Sequence, residues 1–160
     1  MMRSLFVKHA GKQKGLAAVE ATLVLPLMLL LMLAIGEFGR ALYQYATLTQ
    51  ALRGGALSMD RMGTYVDNPI TRAEKESAIK NIIVYGNAAG AGNPVLQGLS
   101  KDNVSFSGIY ELPADSGNYY SDIGVSYSWQ PVFGSEFNTF VAGTISLDFP
   151  LSTNMTVRVK

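Results

Sequence analysis

The chain has 160 residues, and its 13 basic and 12 acidic side chains give a formal charge of +1, so it shows no electrostatic footprint for nucleic-acid binding. It has no cysteine, which excludes disulfides, thiolate nucleophiles and zinc–thiolate sites. Its single histidine, His9, lies close to the N-terminus, which argues against Ser-His-Asp and Cys-His catalysis in the rest of the chain. We therefore predict a protein that is not an enzyme and has no cofactor and no metal site.

The first 15 residues form a basic segment. They contain four bases and no acid, whereas the rest of the chain carries nine bases and twelve acids. Positive flanks of membrane segments stay in the cytoplasm, so this segment is expected inside the cell and the C-terminal part outside. It is either a leader that is removed or a cytoplasmic tail that is retained.

A long apolar segment follows the basic residues. Ala21 to Gly36 is a run of sixteen uncharged residues, and residues 16–19 extend it. At about 1.5 Å per residue, the roughly 21 residues from 16 to 36 are long enough to cross the hydrocarbon core of a bilayer. A secretory signal cleaved after the apolar part fits poorly, because that part is too long and no small-x-small site follows it. The plainest interpretation is a signal-anchor helix.

Glu20 lies within this apolar segment. A carboxylate there costs about 2.5–3.5 kcal/mol on membrane-insertion scales, so its presence indicates a function or a partner. Its place near one end of the segment lowers that cost and leaves a second interpretation, in which the side chain reaches the interface.

Pro26 interrupts the backbone hydrogen bonds of the same segment. It cannot donate to the carbonyl of Thr22, so we predict a kink over residues 22–26. The Thr22 hydroxyl is one turn earlier and could take the freed group. The kink is either a static bend or a place where the helix melts locally during assembly.

After Gly36 the helical pattern becomes amphipathic. One predicted face is polar and the other apolar, and we expect the apolar face to pack on a soluble domain. The helix is predicted to run from Leu16 to Met59, although Gly54 and Gly55 are also compatible with a break. The polar face consists of Glu37, Arg40, Gln44 and Thr47, and the apolar face of Phe38, Leu42, Tyr45, Leu48 and Leu52.

Together these features resemble a known family. The chain has a basic leader that ends in Gly15, a glutamate five residues later, Leu25-Pro26 in the apolar helix, and the block Glu37-Phe38-Gly39-Arg40, with a weaker match at Gly55-Ala56. This combination is similar to type IV prepilin-type proteins, and specifically to the TadE family of minor pseudopilins in tight-adherence (Flp) pilus systems. The resemblance covers residues 15–56.

The resemblance implies a maturation and an assembly step. An inner-membrane prepilin peptidase would cut between Gly15 and Leu16, and Glu20 would offset the new amine of a neighbouring subunit, setting the register between them. Implied partners are the inner membrane, other Tad/Flp pilins and pseudopilins, and the pilus assembly platform, with a role in surface adherence. The protein would be single-pass in a bacterial inner membrane, with its C-terminal head in the periplasm or incorporated in a pilus.

The remainder of the chain predicts a small α+β head. A second helix is expected over Thr71–Tyr85, with Thr71 and Glu74 as a capping box, and a surface loop over residues 86–98. Period-two alternation then predicts one antiparallel sheet with a buried face, packed on the second half of the long helix. The four alternating runs lie at residues 104–110, 123–130, 145–149 and 155–160.

These elements divide the chain into a leader (1–15), a transmembrane part (16–36), an amphipathic continuation (37–60) and a head (61–160). Two other functions compete with a pilus subunit. One is a signal-anchored exported binding domain with no filament role, which would carry a ligand-sized pocket in its sheet. The other is a tethered hydrolase, for which only carboxylates such as Asp115, Asp122 or Glu136 remain, and none of these shows a paired spacing.

Overall fold

The computed structural model describes residues 11–61, 69–132, 134, 136–139, 143–146 and 148–159. It contains a long helix followed by a small antiparallel sheet, which confirms the predicted α+β class. The helices are α1 (Gly11–Arg61) and α2 (Pro69–Tyr85), with a single 3₁₀ turn at Lys101–Asn103. The strands are β1 (Val104–Phe106), β2 (Tyr110–Glu111), β3 (Tyr119–Ser128), β4 (Glu136–Thr139), β5 (Gly143–Ser146) and β6 (Pro150–Val159).

Helix α1 is longer than predicted at both ends and includes Pro26. It belongs to two compact units, one that ends at Gly39 and one that begins at Arg40, and these are described separately below. The possible break at Gly54-Gly55 does not occur, since α1 runs to Arg61.

Gly55 lies where α1 and α2 approach each other closely. A Cβ built on Gly55 would lie 2.5 Å from Ile83 Cγ1, which is far inside van der Waals contact, whereas a Cβ on Gly54 would meet no atom within 4 Å. Glycine at 55 therefore lets Ile83 of α2 pack directly against the backbone of α1. The loss of helix propensity at this site is offset by that packing.

Helix α2 begins at Pro69, so the predicted capping box is wrong. Thr71 lies inside the first turn instead of preceding it. Proline suits the first turn because its missing N–H would have no partner there and its φ is already helical. The apolar face is otherwise as expected, with Ile79, Ile83 and Val84 fully buried.

The main sheet is built around β3. All ten residues of β3 pair in antiparallel register with β6, from Tyr119 opposite Val159 to Ser128 opposite Pro150. On its other side, β3 pairs with β1 and then with β2, so these two short strands form a single interrupted edge.

A bulge separates β1 from β2. Three residues of this edge (107–109) stand opposite two residues of β3 (121 and 122), because Phe106 pairs with Ile123 and Tyr110 pairs with Tyr120. Ser107 holds the bulge together: its N–H donates to the Asp122 carbonyl at 2.8 Å and its hydroxyl accepts from the Asp122 N–H at 2.7 Å. The buried Ser121 hydroxyl adds a bond to the Ser107 carbonyl. The extra residue is accommodated without leaving these groups unbonded.

One face of the main sheet is buried in a core shared with α1 and α2, as the alternation predicted; it carries odd-numbered residues of β3 and β6 and the even-numbered residues of β1. The core of this unit comprises Ala41, Leu48, Leu52, Ala56, Met59, Ile79, Ile83, Val84, Leu96, Leu99, Val104, Ile123, Val125, Tyr127, Trp129, Leu151, Val157 and Val159. The predicted surface loop is only partly exposed, because Leu96 belongs to this core and the Tyr127 hydroxyl donates to the Gln97 carbonyl at 2.8 Å. The apolar side chain of Leu96 thus anchors this glycine-rich stretch to the core.

The prediction of one sheet is wrong for the third alternating run. In the described residues, β5 pairs only with β4, a strand that the alternation did not predict, and the two form a separate two-stranded sheet. Alternation indicates that a segment is extended, but it carries no information about which strand it pairs with.

Candidate membrane and assembly segment

The predicted cleavage site lies within regular helix. Gly15 and Leu16 are both exposed residues of α1, four or more residues after its first residue, Gly11. A Cβ built on Gly15 would meet no atom within 4 Å, so packing does not explain glycine at this position.

Glu20 is exposed one helical turn after Leu16. Residues four apart lie on the same face of a helix, so the backbone nitrogen of Leu16 and the side chain of Glu20 are neighbours along one stripe. In the uncut chain that nitrogen is a peptide nitrogen and carries no charge. Only cleavage before Leu16 would provide the positive partner predicted from the sequence.

The segment around Glu20 exposes large apolar side chains in every direction. Leu23 is 73% exposed and Leu33, among the least exposed of them, is 44% exposed. Of the described residues, α1 from Gly15 onward is long and apolar enough to cross a membrane, with a mean hydropathy of 2.4 in its most apolar window and none of that window buried. A helix that is apolar on all sides needs apolar surroundings, which lipid provides.

Thr22 and Pro26 lie near the middle of this segment. The Thr22 hydroxyl donates to the Ala18 carbonyl at 2.7 Å, one turn before the carbonyl that Pro26 leaves without its helical donor. The Thr22 hydroxyl therefore does not take the group that Pro26 frees, which is the role we expected for it. Both features are known to bend helices, and the kink at 22–26 stays a prediction.

The Glu37-Phe38-Gly39-Arg40 block contains side chains in contrasting surroundings. Glu37 is buried, with 7% of its surface exposed, whereas Phe38 is 65% exposed. Gly39 has open space where a Cβ would be. Arg40 is half-buried and donates from Nη2 to the Gln130 carbonyl at 3.0 Å, which fixes the end of β3 to this turn of the helix.

The face that α1 buries from residue 40 onward differs from the predicted one. Leu48 and Leu52 are fully buried as expected, but Leu42 and Tyr45 are 53% and 43% exposed. The buried face is rotated about the helix axis relative to the predicted one. It includes the half-buried Gln44 and Thr47 and excludes the larger Leu42 and Tyr45. The small residues Ala41, Gly55 and Ala56 mark this face, and their spacing was the signal that could have identified it.

The exposed apolar side chains on α1 therefore do not stop at Gly36. Phe38, Leu42, Tyr43 and Tyr45 continue them along the helix. Tyrosines are favoured at the boundary between lipid and water, where the ring is apolar and the hydroxyl is hydrated. This part of α1 carries apolar surface for a bilayer or for another chain.

The carboxylates considered for hydrolysis serve the fold or lie apart. Asp122 Oδ1 accepts from the Tyr110 hydroxyl at 3.0 Å and from Thr156 Oγ1 at 2.6 Å, and partial desolvation followed by the bond to Asp122 raises the pKa of Tyr110. Asp115 is exposed in a turn with φ of 60°, and Glu136 is exposed on β4. Within the described ranges, no three His, Cys, Asp or Glu side chains are placed to hold a metal ion.

The segment that begins at Gly15 is similar to one known family. Residues 15–57 match the model described as TadE-like protein. This part of the chain is similar to TadE-like proteins. The match covers about a quarter of the chain, and neither the curated proteins nor the solved structures provide any match.

The TadE-like segment contains all the residues singled out from the sequence in α1. It begins at Gly15, the predicted cleavage residue, and ends at Leu57, so it includes Glu20, Pro26, the Glu37–Arg40 block and Gly55. It therefore joins the exposed apolar part of the helix to most of the face that is buried in the head.

Proposed function

We propose that this protein is a minor pseudopilin of a Tad pilus system, anchored by α1 and cut after Gly15 by a prepilin peptidase. The observation that carries the proposal is the TadE-like match that starts at Gly15 and spans a helix with a carboxylate in its apolar part. The anchored head would remain outside the cytoplasm, as the basic residues of the leader favour.

Cleavage and Glu20 are two parts of one mechanism in this proposal. Cutting before Leu16 creates an α-amine on the stripe that also carries Glu20. In the low-dielectric surroundings of packed helices, an amine and a carboxylate on neighbouring subunits attract strongly, and either one alone is costly. The pair would therefore favour one axial register between subunits over all others.

The exposed side chains beyond Gly36 support the same role. A monomer that functioned only as a tether would have no need of Leu42 and Tyr45 on the outside of the helix, at 53% and 43% exposure. In an assembly, neighbouring helices would cover them.

A matched pair of glycine variants tests the cleavage. Gly15→Leu and Gly36→Leu add the same side chain at exposed helical positions where a new Cβ meets no atom within 4 Å. We expect Gly15→Leu to leave the leader attached and Gly36→Leu to be processed normally, as read by mass spectrometry of the N-terminal peptide from cells with an active prepilin peptidase. An uncut wild-type chain in those cells would refute the maturation step.

A second pair tests the register. We expect Glu20→Gln to insert in the membrane at least as well as the wild type, because the buried charge is gone, and to be lost from pili; Glu20→Asp should retain part of the assembly. Membrane fractionation and immunoblotting of sheared pili measure the two steps separately. Normal assembly of Glu20→Gln would remove the role assigned to this carboxylate while leaving the cleavage result intact.

A further inference from the structure

The outer edge of β6 is a long, regular and unpaired strand edge. β6 pairs with β3 through all ten of its residues without a bulge, and no other described segment pairs with it. Ten residues make an edge of about 33 Å with backbone N–H and C=O groups directed away from the sheet. Exposed edges of this kind are usually shortened, bulged or rich in lysine and proline, and β6 has only Pro150 at its start and Arg158 near its end.

A groove lies between α1 and the last part of β6, where residues 155–158 line it. It has a volume of about 440 Å³, and its apolar wall consists of Ala56, Leu57, Met155 and Val157. Leu57 is 60% exposed, although it lines the groove together with residues 155–158 of β6. A strand added beside residues 155–158 would place alternate side chains in this groove, because side chains of a strand alternate between the two faces of a sheet.

The groove also carries unused charges of both signs. Arg53 and Asp60 line it, seven residues apart on α1, and neither forms an ion pair or hydrogen bond with another residue in the described part of the chain. Arg158, by contrast, donates to the Asn118 side chain. A strand that fits the groove would therefore offer an acid near Arg53 and a base near Asp60.

A second copy of the chain does not fit this edge. If two β6 strands paired antiparallel, the second copy would bring no acid to Arg53, because Arg158 is the one charged side chain among residues 150–159. Pairing β6 strands in parallel would turn the second copy's apolar face away from the groove.

We propose that the β6 edge and its groove bind an extended segment of a different chain as an added strand. Its backbone continues the sheet, its apolar side chains alternate into the groove beside Leu57, and its acid and base face Arg53 and Asp60. This mode of recognition takes its affinity from main-chain hydrogen bonds and its specificity from the alternate side chains. It concerns the head and does not depend on cleavage at Gly15.

Two synthetic peptides test the inference on the full chain in detergent micelles. Both alternate valine with threonine over ten residues and replace two valines that lie four residues apart, about 13 Å along the strand, to match the roughly 10 Å between Arg53 and Asp60 along α1. One peptide has aspartate and lysine at these two positions, and the other has lysine at both. We expect the aspartate–lysine peptide to bind more tightly, by about threefold to fivefold, the size expected for a partly exposed ion pair. Bound peptide should slow amide hydrogen exchange in residues 150–159.

Charge reversal gives the decisive control. Arg53→Glu should reverse the preference between the two peptides, whereas Lys101→Glu, which makes the same change of charge at an exposed site outside the groove, should leave it unchanged. Slow amide exchange in residues 150–159 of Arg53→Glu with bound lysine peptide shows that the variant is folded, so the reversal is independent of any loss of stability.

The apolar wall has its own matched pair. Leu57→Ala should weaken binding of the aspartate–lysine peptide, and Leu112→Ala should not, although both leucines are 60% exposed. The proposal is overturned if neither peptide protects residues 150–159 at millimolar concentration, if Arg53→Glu leaves the preference unchanged, or if β6 becomes protected by dimerisation of the chain without peptide.

Discussion

Helix α1 contains two regions of similar length that are stabilised by different surroundings. From Leu16 to Ile35 its large side chains are exposed on every side, whereas from Ala41 to Met59 one face is buried in the core of the head. Both regions are helical, so secondary structure alone does not separate them. The difference teaches that the first region needs apolar surroundings, such as a bilayer would provide, whereas the second depends on precise packing within the chain.

The largest expected effect contrasts one leucine from each region. Leu52→Ala removes a side chain with no exposed surface and should lower the free energy of unfolding of the head by about 2–5 kcal/mol, because a cavity remains in the core. Leu29→Ala, at a site 53% exposed, should change it very little. Urea unfolding of the full chain in detergent, followed by the fluorescence of the single tryptophan, Trp129, measures both. Equal effects would show that the two regions are not distinct.

Adjacent glycines sharpen the comparison within the buried region. Gly55→Ala should destabilise the head by about 1–3 kcal/mol, because its Cβ would overlap Ile83 and α2 would have to move. Gly54→Ala has open space and should stabilise the helix by up to about 1 kcal/mol through its higher helix propensity. The same unfolding assay should therefore give changes of opposite sign, and a gain for both would contradict the close approach of the helices.

A buried hydrogen bond gives the next effect. Tyr127→Phe removes the donor to the Gln97 carbonyl and should cost about 1 kcal/mol, since the loop residue loses a partner at the edge of the core. Tyr45→Phe removes a hydroxyl from a half-exposed ring on α1 and serves as the control, with no change expected. A loss of stability in Tyr45→Phe without a loss in Tyr127→Phe would show that the hydrogen bond from Tyr127 does not stabilise the head.

The smallest effect is a dependence on pH at the polar face of the sheet. Because the pKa of Tyr110 is raised, first by desolvation and then by the bond to Asp122, the folded state holds this proton more tightly than the unfolded state. Its contribution to stability is thus complete below the ordinary tyrosine pKa and is lost as the pH rises through the raised value. Tyr110→Phe should lose a small part of the alkaline decline in unfolding free energy, and an unchanged profile would contradict the shift.

The sequence was most informative where a single environment acts on a whole segment. The membrane-span candidate, the buried Leu48 and Leu52, and the alternation of β3 and β6 all follow from which residues avoid water. Avoidance of water does not explain why Gln44 is half-buried, why Leu42 is exposed or why β5 pairs with β4. These features depend on which element lies opposite the residue or strand. The role of Gly55 was hidden for the same reason, since only the position of Ile83 explains it.

The helical state of Gly15 and Leu16 has a kinetic consequence for the proposed maturation. Proteases bind their substrates as extended backbone, so α1 must open through its first two turns before the peptide bond between Gly15 and Leu16 becomes accessible. The frequency of that opening would then limit how fast precursors are converted. A glycine at the scissile position lowers the free energy of the opened state, and this gives the residue a purpose that packing does not provide.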